Sequence, residues 1–192
     1  MRPLILASSS PYRQALLKRL GLPFSTHAPE VDERRHEGES ALALVLRLAE
    51  DKARALALRY PHHLIIGSDQ VAVLGDQVLG KPGGFEQALA QLTAASGERV
   101  TFLTGLALLD SASGECQVDA VAFSVNMRKL PQDALTRYLQ AEQPYDCAGS
   151  FKAEGLGVSL FESTEGPDAT SLIGLPLIRL VAMLAAMGVA VP

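Results

Sequence analysis

The chain has 192 residues, of which 48% are hydrophobic and 20% are charged. That length can bury a substantial core, and the normal share of charge excludes wholesale disorder. The formal net charge of −4 argues against a groove that follows a nucleic-acid polymer, because such binding depends on many phosphate contacts. The net charge does not exclude a small phosphorylated ligand, because binding one needs only a few local cations. Since tryptophan is absent, any aromatic residue near a candidate site gains weight.

The first third of the chain predicts two short strands and two helices. Residues 4–7 form an apolar run typical of a buried strand, and residues 24–27 predict a second strand. Between them, a serine can cap a helix that has Pro11 in its first turn and Gly21 at its end. Apolar residues at three- and four-residue spacing predict a long helix over 40–60.

The rest of the chain continues this alternation of strands and helices. Residues 63–79 predict a buried strand that runs into a hairpin around Gly75 and Asp76, and residues 85–95 predict a helix. The remaining predicted elements are strands over 99–110 and 115–126 joined as a hairpin, a helix over 131–141, extended pieces at 145–149 and 157–162, and a helix over 176–187 that ends at Gly188. The pattern indicates an α/β protein with a mixed sheet, since the hairpins argue against a purely parallel one.

The sequence also disfavours a disulfide-bonded protein, a membrane-spanning protein and a zinc protein. Cys116 and Cys147 lie far apart in sequence, which indicates two reduced, mostly buried thiols in a cytoplasmic protein. The apolar stretch over 172–191 contains Pro176 and Arg179, and a central arginine costs about 2.5–3.5 kcal/mol in a membrane. A core helix is therefore expected there. The histidines have no partner at helical metal spacing, so a zinc site is not expected.

Polar residues stand at several places where α/β proteins bind ligands. Residues 8–13 join a strand end to a helix N-terminus, which favours an anion site with Arg13 as a phosphate contact; a plain helix cap is an equal alternative. Asp69 follows a buried strand, where a carboxylate can bind a divalent cation or activate water, although an ordinary strand-end aspartate is the simpler reading of that residue alone. Lys81, in a short loop, and Lys52, beside the apolar stripe of the long helix, are ordinarily solvent-facing lysines.

The order of these residues resembles the Maf family over essentially the whole chain. The matching motifs are Ser8-Ser9-Ser10-Pro11-Tyr12-Arg13, Glu30-Val31-Asp32-Glu33, Lys52-Ala53, Gly67-Ser68-Asp69-Gln70, Gly80-Lys81-Pro82, Thr104-Gly105, Ala148-Gly149-Ser150-Phe151, Glu154-Gly155 and Gly174-Leu175-Pro176. The resemblance implies a nucleoside triphosphate pyrophosphatase, which cuts between the α- and β-phosphates. It also implies one domain over 1–192, with a long twisted mixed sheet flanked by helices and two lobes around a central cleft, as in inosine triphosphate pyrophosphatases.

The functional positions of the family carry over to this chain residue by residue. A triphosphate presents about four negative charges, and three cationic side chains can offset three of them with the help of a metal ion. The resemblance makes Asp69 the acceptor of the proton from the attacking water. The assigned positions are Asp69, Lys52, Lys81 and Arg13 for catalysis, Ser8 for phosphate oxygens, and Glu33 with Asp69 for a Mg²⁺ or Mn²⁺ ion.

Within the family, substrate choice depends on three further positions, which in this chain are Tyr12, Gln70 and Glu154. They differ from the arginine, threonine and glutamine of the dTTP and UTP branch and resemble the branch that prefers 7-methyl-GTP, although tyrosine stands where that branch often has tryptophan. N7-methylation makes guanine cationic, and an aromatic face attracts a cation by about 0.5–2 kcal/mol. Glu154 can accept hydrogen bonds from the adjacent N1–H and N2–H₂ of guanine and repels the carbonyls of pyrimidines. The expected products are 7-methyl-GMP and pyrophosphate.

Two other functions stay open at this stage. One is the same reaction on dTTP and UTP, and the other is a nucleotide-binding regulator of cell division and septum formation. A pure binder has no need of Asp69, Lys52 and Lys81 together. The expected partner is a small nucleoside triphosphate, with neither a nucleic-acid polymer nor a membrane. Family members are often dimers, so homodimer and monomer both stay open, as does a role for Lys152 and Asp168.

Overall fold

In the computed structural model, which describes residues 2–191, helices and strands alternate along the chain. The strands are β1 (Leu4–Leu6), β2 (Phe24–Thr26), β3 (Leu64–Leu74), β4 (Gln77–Leu79), β5 (Arg99–Asp110), β6 (Cys116–Met127) and β7 (Phe161–Glu165). The helices are α1 (Pro11–Lys18), α2 (Ala41–Arg54), α3 (Phe85–Ala95), α4 (Gln132–Glu142), α5 (Ala169–Ile173) and α6 (Leu177–Ala186), with short 3-10 helices at Ala148–Ser150 and Leu156–Leu160.

The strands form one seven-stranded mixed sheet. Its order is β2-β1-β3-β5-β6-β7, and β4 pairs with β3. Strand β1 is parallel to both of its neighbours, with Leu4 opposite Phe24 on one side and Leu64 on the other. Strand β4 is antiparallel to β3, and β7 is antiparallel to β6. The predicted α/β fold with a mixed sheet is confirmed.

The chain divides into two compact units by its internal contacts. The first unit comprises the chain up to Asp69, Thr104–Val121, and the chain from Asp168 onward. The second unit comprises Gln70–Leu103 and Ala122–Pro167. Strands β3, β5 and β6 contribute residues to both units.

Each unit has apolar packing of its own. In the first unit, one buried cluster joins residues from all three stretches of chain, among them Leu6, Leu108 and Leu180. In the second unit, the rings of Phe102, Phe151 and Phe161 stack edge to face in a row, with centroids 5.0 Å and 4.8 Å apart. Such pairs add about 0.5–1.5 kcal/mol each beyond the area that they bury.

Most predicted elements lie where the sequence placed them. Helix α1 begins at Pro11, and the side chain of Ser10 caps it by accepting the backbone N–H of Arg13. The β3–β4 hairpin turns at Gly75, whose φ of +58° favours glycine. Helix α6 follows Pro176 and precedes a left-handed glycine, as expected.

Three predicted elements differ from the structure, two in their bounds and one in its type. The helix predicted over 40–60 ends at Arg54 and continues as tight turns, such as the one closed by the Ala57 N–H on the Arg54 carbonyl. Ala57 and Tyr60 still pack against the apolar cluster, so the apolar pattern extends beyond the end of the helix. Residues 145–149 are turns that lead into a 3-10 helix rather than an extended piece, since Gly149 and Ser150 both have positive φ. In the predicted piece 157–162, the 3-10 helix extends to Leu160 before β7 begins.

The apolar stretch near the C-terminus is divided between α5 and α6, and the turn between them contains Gly174 and Pro176. Among residues 2–191, no helix has the length and apolar character needed to cross a membrane. Cys116 and Cys147 are thiols, as predicted, but each is half-buried rather than mostly buried.

Candidate active site

Two glycines bring helix α2 against the sheet. A Cβ atom on Gly67 of β3 would overlap the backbone carbonyl of Ala49, and one on Gly105 of β5 would overlap that of Val45. Only glycine allows the helix backbone to approach the strands this closely. Alternate residues of a strand share a face, so Asp69 lies on the same face as Gly67. The close approach therefore places the next turn of α2, with Lys52, beside Asp69.

Lys52 is the centre of a cluster of charged side chains in the first unit. Its Nζ atom lies 2.7 Å from Oδ1 of Asp69 and 2.8 Å from Oε1 of Glu33. The lysine and aspartate side chains are only 8% and 12% exposed, whereas that of Glu33 is 59% exposed. Lys52 therefore does not follow the usual tendency of such lysines to reach solvent. One ammonium instead brings together the two carboxylates that the sequence assigned to metal binding.

The loop that carries Glu33 is fastened to α2 by Arg47. The guanidinium of Arg47 binds Glu39 at 2.6 Å and 2.8 Å and also donates to the backbone carbonyl of Arg34. Hydrogen bonds from Arg47 and from the backbone N–H of His36 lower the pKa of Glu39 to about 2. These contacts fix the path of the chain on the C-terminal side of Glu33.

Arg13 is held by a backbone carbonyl. Its Nε atom donates to the carbonyl of Gly174 at 2.8 Å, and the buried hydroxyl of Ser68 lies 3.0 Å from the same oxygen. Loss of hydration on burial lowers the pKa of Arg13, and the negative charges of Asp69 and Glu33 oppose that shift. Arg13 is therefore oriented by the Gly174 carbonyl, and it is attracted electrostatically by Asp69 and Glu33, the same two carboxylates that contact Lys52.

Ser8 and Tyr12 lie on either side of the N-terminal end of α1. Ser8 is 5% exposed, and its Oγ accepts the backbone N–H of Ser10 at 3.1 Å. Tyr12 is the second residue of the helix and is half-buried. Residues 8–13 thus form both the cap and the first turn of α1, and Arg13 lies in that turn.

Asp168 holds the segment that presents the Gly174 carbonyl. The side chain is buried, and its two oxygens accept hydrogen bonds from the N–H and hydroxyl of Thr170 and from the N–H of Ile178. The Thr170 hydroxyl in turn accepts the N–H of Leu177. Asp168 therefore closes the turn between α5 and α6, and its oxygens serve that turn.

In the second unit, Lys81 lies in an exposed loop that is tied down on both sides. The side-chain amide of Gln91 donates to the carbonyl of Gly80 at 3.2 Å, and the N–H of Gly83 donates to the carbonyl of Tyr145 at 3.0 Å. These contacts fix the backbone of the loop while the Lys81 side chain stays exposed. Gln70, also in this unit, is half-buried in β3.

Glu154 is exposed and lies in a loop of the second unit before the 3-10 helix Leu156–Leu160. Lys152, in the same loop, lies 3.6 Å from Oε1 of Glu142 on α4. The predicted residues therefore divide between the units: Ser8, Tyr12, Arg13, Glu33, Lys52 and Asp69 belong to the first, and Gln70, Lys81 and Glu154 to the second.

The carboxylates of the first unit suit a magnesium or manganese ion that is bound together with a phosphorylated ligand. Mg²⁺ usually takes one or two protein carboxylates and completes its shell with waters and substrate phosphates. Glu33 and Asp69 supply such a pair, since both reach the Nζ atom of Lys52. Within residues 2–191, no group of three or more His, Cys, Asp or Glu side chains is arranged to hold a metal by itself.

Two positioning groups, the Gly174 carbonyl and Ser68, received no role from the sequence. The Gly174 carbonyl is a backbone atom, so residue type carries no sign of its role. Ser68 is fully buried and also donates to the carbonyl of Gly105 at 2.8 Å. The available signal was the small pair Gly67-Ser68 inside an apolar strand, which is typical of close backbone approach.

The whole chain aligns with known proteins. A family model described as Maf-like protein matches residues 3–187. A protein of Pseudomonas fluorescens named 7-methyl-GTP pyrophosphatase is 69% identical over 192 residues, which is 100% of both chains. Relatives with the same name are 64% identical in Pseudomonas aeruginosa, over 100% of both chains, and 57% identical in Alcanivorax borkumensis, over 98% of this chain and 96% of that one.

Solved structures share the fold at low sequence identity. A HAM1 protein from Coxiella burnetii superposes with a TM-score of 0.57 at 15% identity, covering 97% of this chain and 100% of that one. The Ham1 protein of Staphylococcus aureus gives a TM-score of 0.52 at 14% identity, with the same coverage. Both likenesses support the α/β fold alone.

Proposed function

Because the chain belongs to the Maf family, we propose that it is a cytoplasmic nucleoside triphosphate pyrophosphatase that converts 7-methyl-GTP to 7-methyl-GMP and pyrophosphate. The observation that carries the activity is the buried Lys52–Asp69 pair with Glu33 on the same ammonium. The substrate is supported by full-length relatives of that name at 64–70% identity.

The reaction requires a base for water and a group that orients this base. Water attacks the α-phosphorus, the bond from that phosphorus to the oxygen bridging to the β-phosphate breaks, and pyrophosphate leaves. Asp69 takes the proton of the attacking water, and Lys52 holds the carboxylate in place through the 2.7 Å contact. A catalytic group that is held in the reactive geometry lowers the barrier, because less orientational freedom is lost in the transition state.

Cationic side chains stabilise the negative charge that the triphosphate carries. Arg13 has its Nε atom committed to the Gly174 carbonyl, so its terminal amino groups face a phosphate in a fixed orientation. Ser8 and the backbone N–H groups at the start of α1 bind phosphate oxygens. Lys81 is the third proposed cation, after Arg13 and Lys52, and it lies on a loop whose backbone is held by hydrogen bonds.

A divalent cation completes the proposed site. Glu33 and Asp69 would hold Mg²⁺ or Mn²⁺, which supplies Lewis-acid neutralisation of phosphate charge when it is bound. The Lys52 ammonium, 2.7 Å and 2.8 Å from the same two carboxylates, already offsets part of their charge.

Recognition of the methylated base falls to Tyr12, Gln70 and Glu154. The cationic ring of 7-methylguanine stacks on Tyr12, and Glu154 accepts from the donors at N1 and N2. A carboxylate in that role rejects thymine and uracil, whose carbonyl oxygens it would face.

The substrate assignment is tested by measuring pyrophosphate release from 7-methyl-GTP, GTP, dTTP and UTP with Mg²⁺ and with Mn²⁺. We expect the highest kcat/KM for 7-methyl-GTP. Faster turnover of dTTP would instead assign the chain to the dTTP and UTP branch. Binding of nucleotide without any pyrophosphate release would favour the regulator of cell division.

The role of Asp69 is tested by the substitution Asp69→Asn. Loss of a general base lowers kcat by about 10²–10⁴-fold, while nucleotide affinity is largely kept. Titration calorimetry with a non-hydrolysable analogue and single-turnover kinetics separate these two quantities. The matched control is Asp76→Asn in the exposed β3–β4 turn, which should leave both unchanged.

A further inference from the structure

The loop at 152–157 is fastened to one face of helix α4. Tyr138 and Glu142 stand four residues apart and therefore share that face. The Tyr138 hydroxyl accepts the backbone N–H of Lys152 at 3.0 Å, and Oε2 of Glu142 accepts the N–H of Leu156 at 2.6 Å. The loop is thus held at both of its ends by two side chains of a single helix.

Glu142 makes the closer of the two attachments. Its side chain is 12% exposed, and its Oε1 lies 3.6 Å from Nζ of Lys152. A Cβ atom on Gly155 would lie 2.6 Å from Oε2 and 2.7 Å from Oε1, so the loop backbone passes directly against the carboxylate. The N–H groups of Gly155 and Gly157 both donate to the carbonyl of Lys152 and close the loop.

Glu154 stands between the two attachment points, and its side chain is exposed. The Tyr138 hydroxyl is largely removed from water, which raises its pKa, and the charges of Glu142 and Glu154 raise it further. Glu154 directly precedes Gly155, whose backbone lies against the Glu142 carboxylate, so this contact fixes the backbone at Glu154. An exposed glutamate on a loose loop would sample many positions, whereas recognition of two adjacent donors on one base requires a fixed carboxylate.

We propose that Glu142 is a positioning residue for nucleobase selection, which fixes the 152–157 loop and so presents Glu154 to the base. This inference rests on the proposed function. It also gives Lys152 a role: its ammonium compensates the charge of the nearly buried Glu142.

The test compares Glu142→Ala with the conservative variant Glu142→Gln. We expect Glu142→Ala to lower the ratio of kcat/KM for 7-methyl-GTP over dTTP by about tenfold, since a displaced hydrogen-bonding group loses much of its selectivity. Glu142→Gln keeps an oxygen that can accept the Leu156 N–H, so it should retain most of the ratio. A merely structural role would lower the turnover of both substrates by the same factor.

Two further variants examine the same contact. Gly155→Ala displaces the Glu142 carboxylate from the loop side and should lower the ratio in the same direction. In a Glu154→Gln background, Glu142→Ala should produce no additional loss, because Glu142 acts through Glu154. Independent losses that add in the double variant would overturn the inference.

The matched control is Glu165→Ala, which removes an exposed ion pair with Arg99 in the same unit and should leave the ratio unchanged. Exchange of the Leu156 amide hydrogen gives a readout that does not depend on substrate, and it should accelerate in Glu142→Ala. Unchanged exchange, or an unchanged ratio in an enzyme that prefers 7-methyl-GTP, would overturn the inference alone. A wild-type chain that does not prefer 7-methyl-GTP would overturn the proposed function with it.

Discussion

At the scale of single residues, the position of Lys52 determines how the charged groups of the candidate site are arranged. A lysine beside an apolar stripe ordinarily extends to solvent, and the spacing along the helix gives no sign that Lys52 does not. In the structure the whole residue is 6% exposed, and its ammonium lies between the buried Asp69 and the exposed Glu33. Since removal of one partner leaves an uncompensated buried charge, Lys52 and Asp69 have to be considered together.

We predict that Lys52→Met lowers the free energy of unfolding by about 3 kcal/mol, because Asp69 loses its buried counter-ion. The same substitution leaves Asp69 and Glu33 without the ammonium that they share. Mn²⁺ should therefore raise the unfolding temperature of the variant more than that of the wild type, as measured by calorimetry with and without the metal.

The control for this prediction is Lys18→Met, which replaces an exposed lysine of α1. It should change stability by no more than about 0.5 kcal/mol and should not alter the response to Mn²⁺. A Lys52→Met protein as stable as the wild type would show that the pair contributes nothing net to folding.

The sequence could name the charged residues of the site but not their partners. Lys52 and Asp69 are 17 positions apart, and their contact depends on how α2 lies on the sheet. Arg13 was predicted as a phosphate contact, yet its orientation comes from the Gly174 carbonyl, which any residue type would also possess. Asp168, whose role stayed open, is explained only by the hydrogen bonds that it makes inside its own turn.

At the scale of secondary-structure elements, the contact between α2 and the sheet controls the site. The helix can lie close to β3 and β5 because Gly67 and Gly105 leave room for its backbone. A packed interior tolerates little added volume, and a backbone atom cannot move aside as the end of a side chain can. The separation of α2 from β3 is therefore set by the absence of one methyl group.

We predict that Gly67→Ala lowers the free energy of unfolding by about 2 kcal/mol or more, since the new methyl group overlaps the Ala49 carbonyl. Displacement of α2 also moves Lys52 away from Asp69, so kcat should fall more than stability alone explains. Chemical denaturation and turnover at a temperature where the variant is fully folded separate the two effects.

Gly80→Ala is the control for stability, because a Cβ atom at Gly80 meets no other atom within 4 Å. It should unfold within about 0.5 kcal/mol of the wild type. If Gly67→Ala were equally harmless, the helix would be free to move off the strand without cost, and the close approach of Ala49 to Gly67 would not control the packing.

Element prediction was accurate where local signals agreed and wrong where tertiary contacts decided. Helix α3 has the predicted bounds, since a glycine-rich loop and a regular apolar pattern define it locally. Residues 145–149 were predicted as extended because no local signal places Ser150 at a φ of +63°. That conformation is accompanied by a hydrogen bond from Ser150 to Gln91, 59 positions away in the chain.

At the scale of the whole molecule, the net charge of −4 conceals an uneven distribution. The proposed cations are few, and in the first unit Arg13 and Lys52 are accompanied by the carboxylates of Glu33 and Asp69. A site of this composition suits a small phosphorylated ligand with its metal ion rather than a long polyanion. The exclusion drawn from composition is therefore consistent with the arrangement of charges.

The first unit is assembled from three separate stretches of chain. Arg2 lies in the first stretch and binds one group in each of the other two. Its guanidinium forms an ion pair with Asp110 at the end of β5 and donates to the carbonyl of Met187 after α6. Burial disfavours a charged Asp110, but hydrogen bonds from the Ala112 N–H, Ser113 and Arg2 outweigh it and hold the pKa of Asp110 below its ordinary value.

This lowered pKa predicts how stability depends on pH. A carboxyl group with a lower pKa in the folded state stabilises the protein above its unfolded pKa of about 4, and this contribution is lost as the pH falls through the folded pKa. Asp110→Asn should therefore be less stable than the wild type at pH 7, and the difference should shrink steadily below about pH 4. Asp119→Asn, which removes a half-exposed pair with Arg179, should show a difference of at most about 1 kcal/mol at pH 7. Urea unfolding of the three proteins between pH 7 and pH 3 measures this, and a constant gap for Asp110→Asn would assign its effect to packing instead of charge.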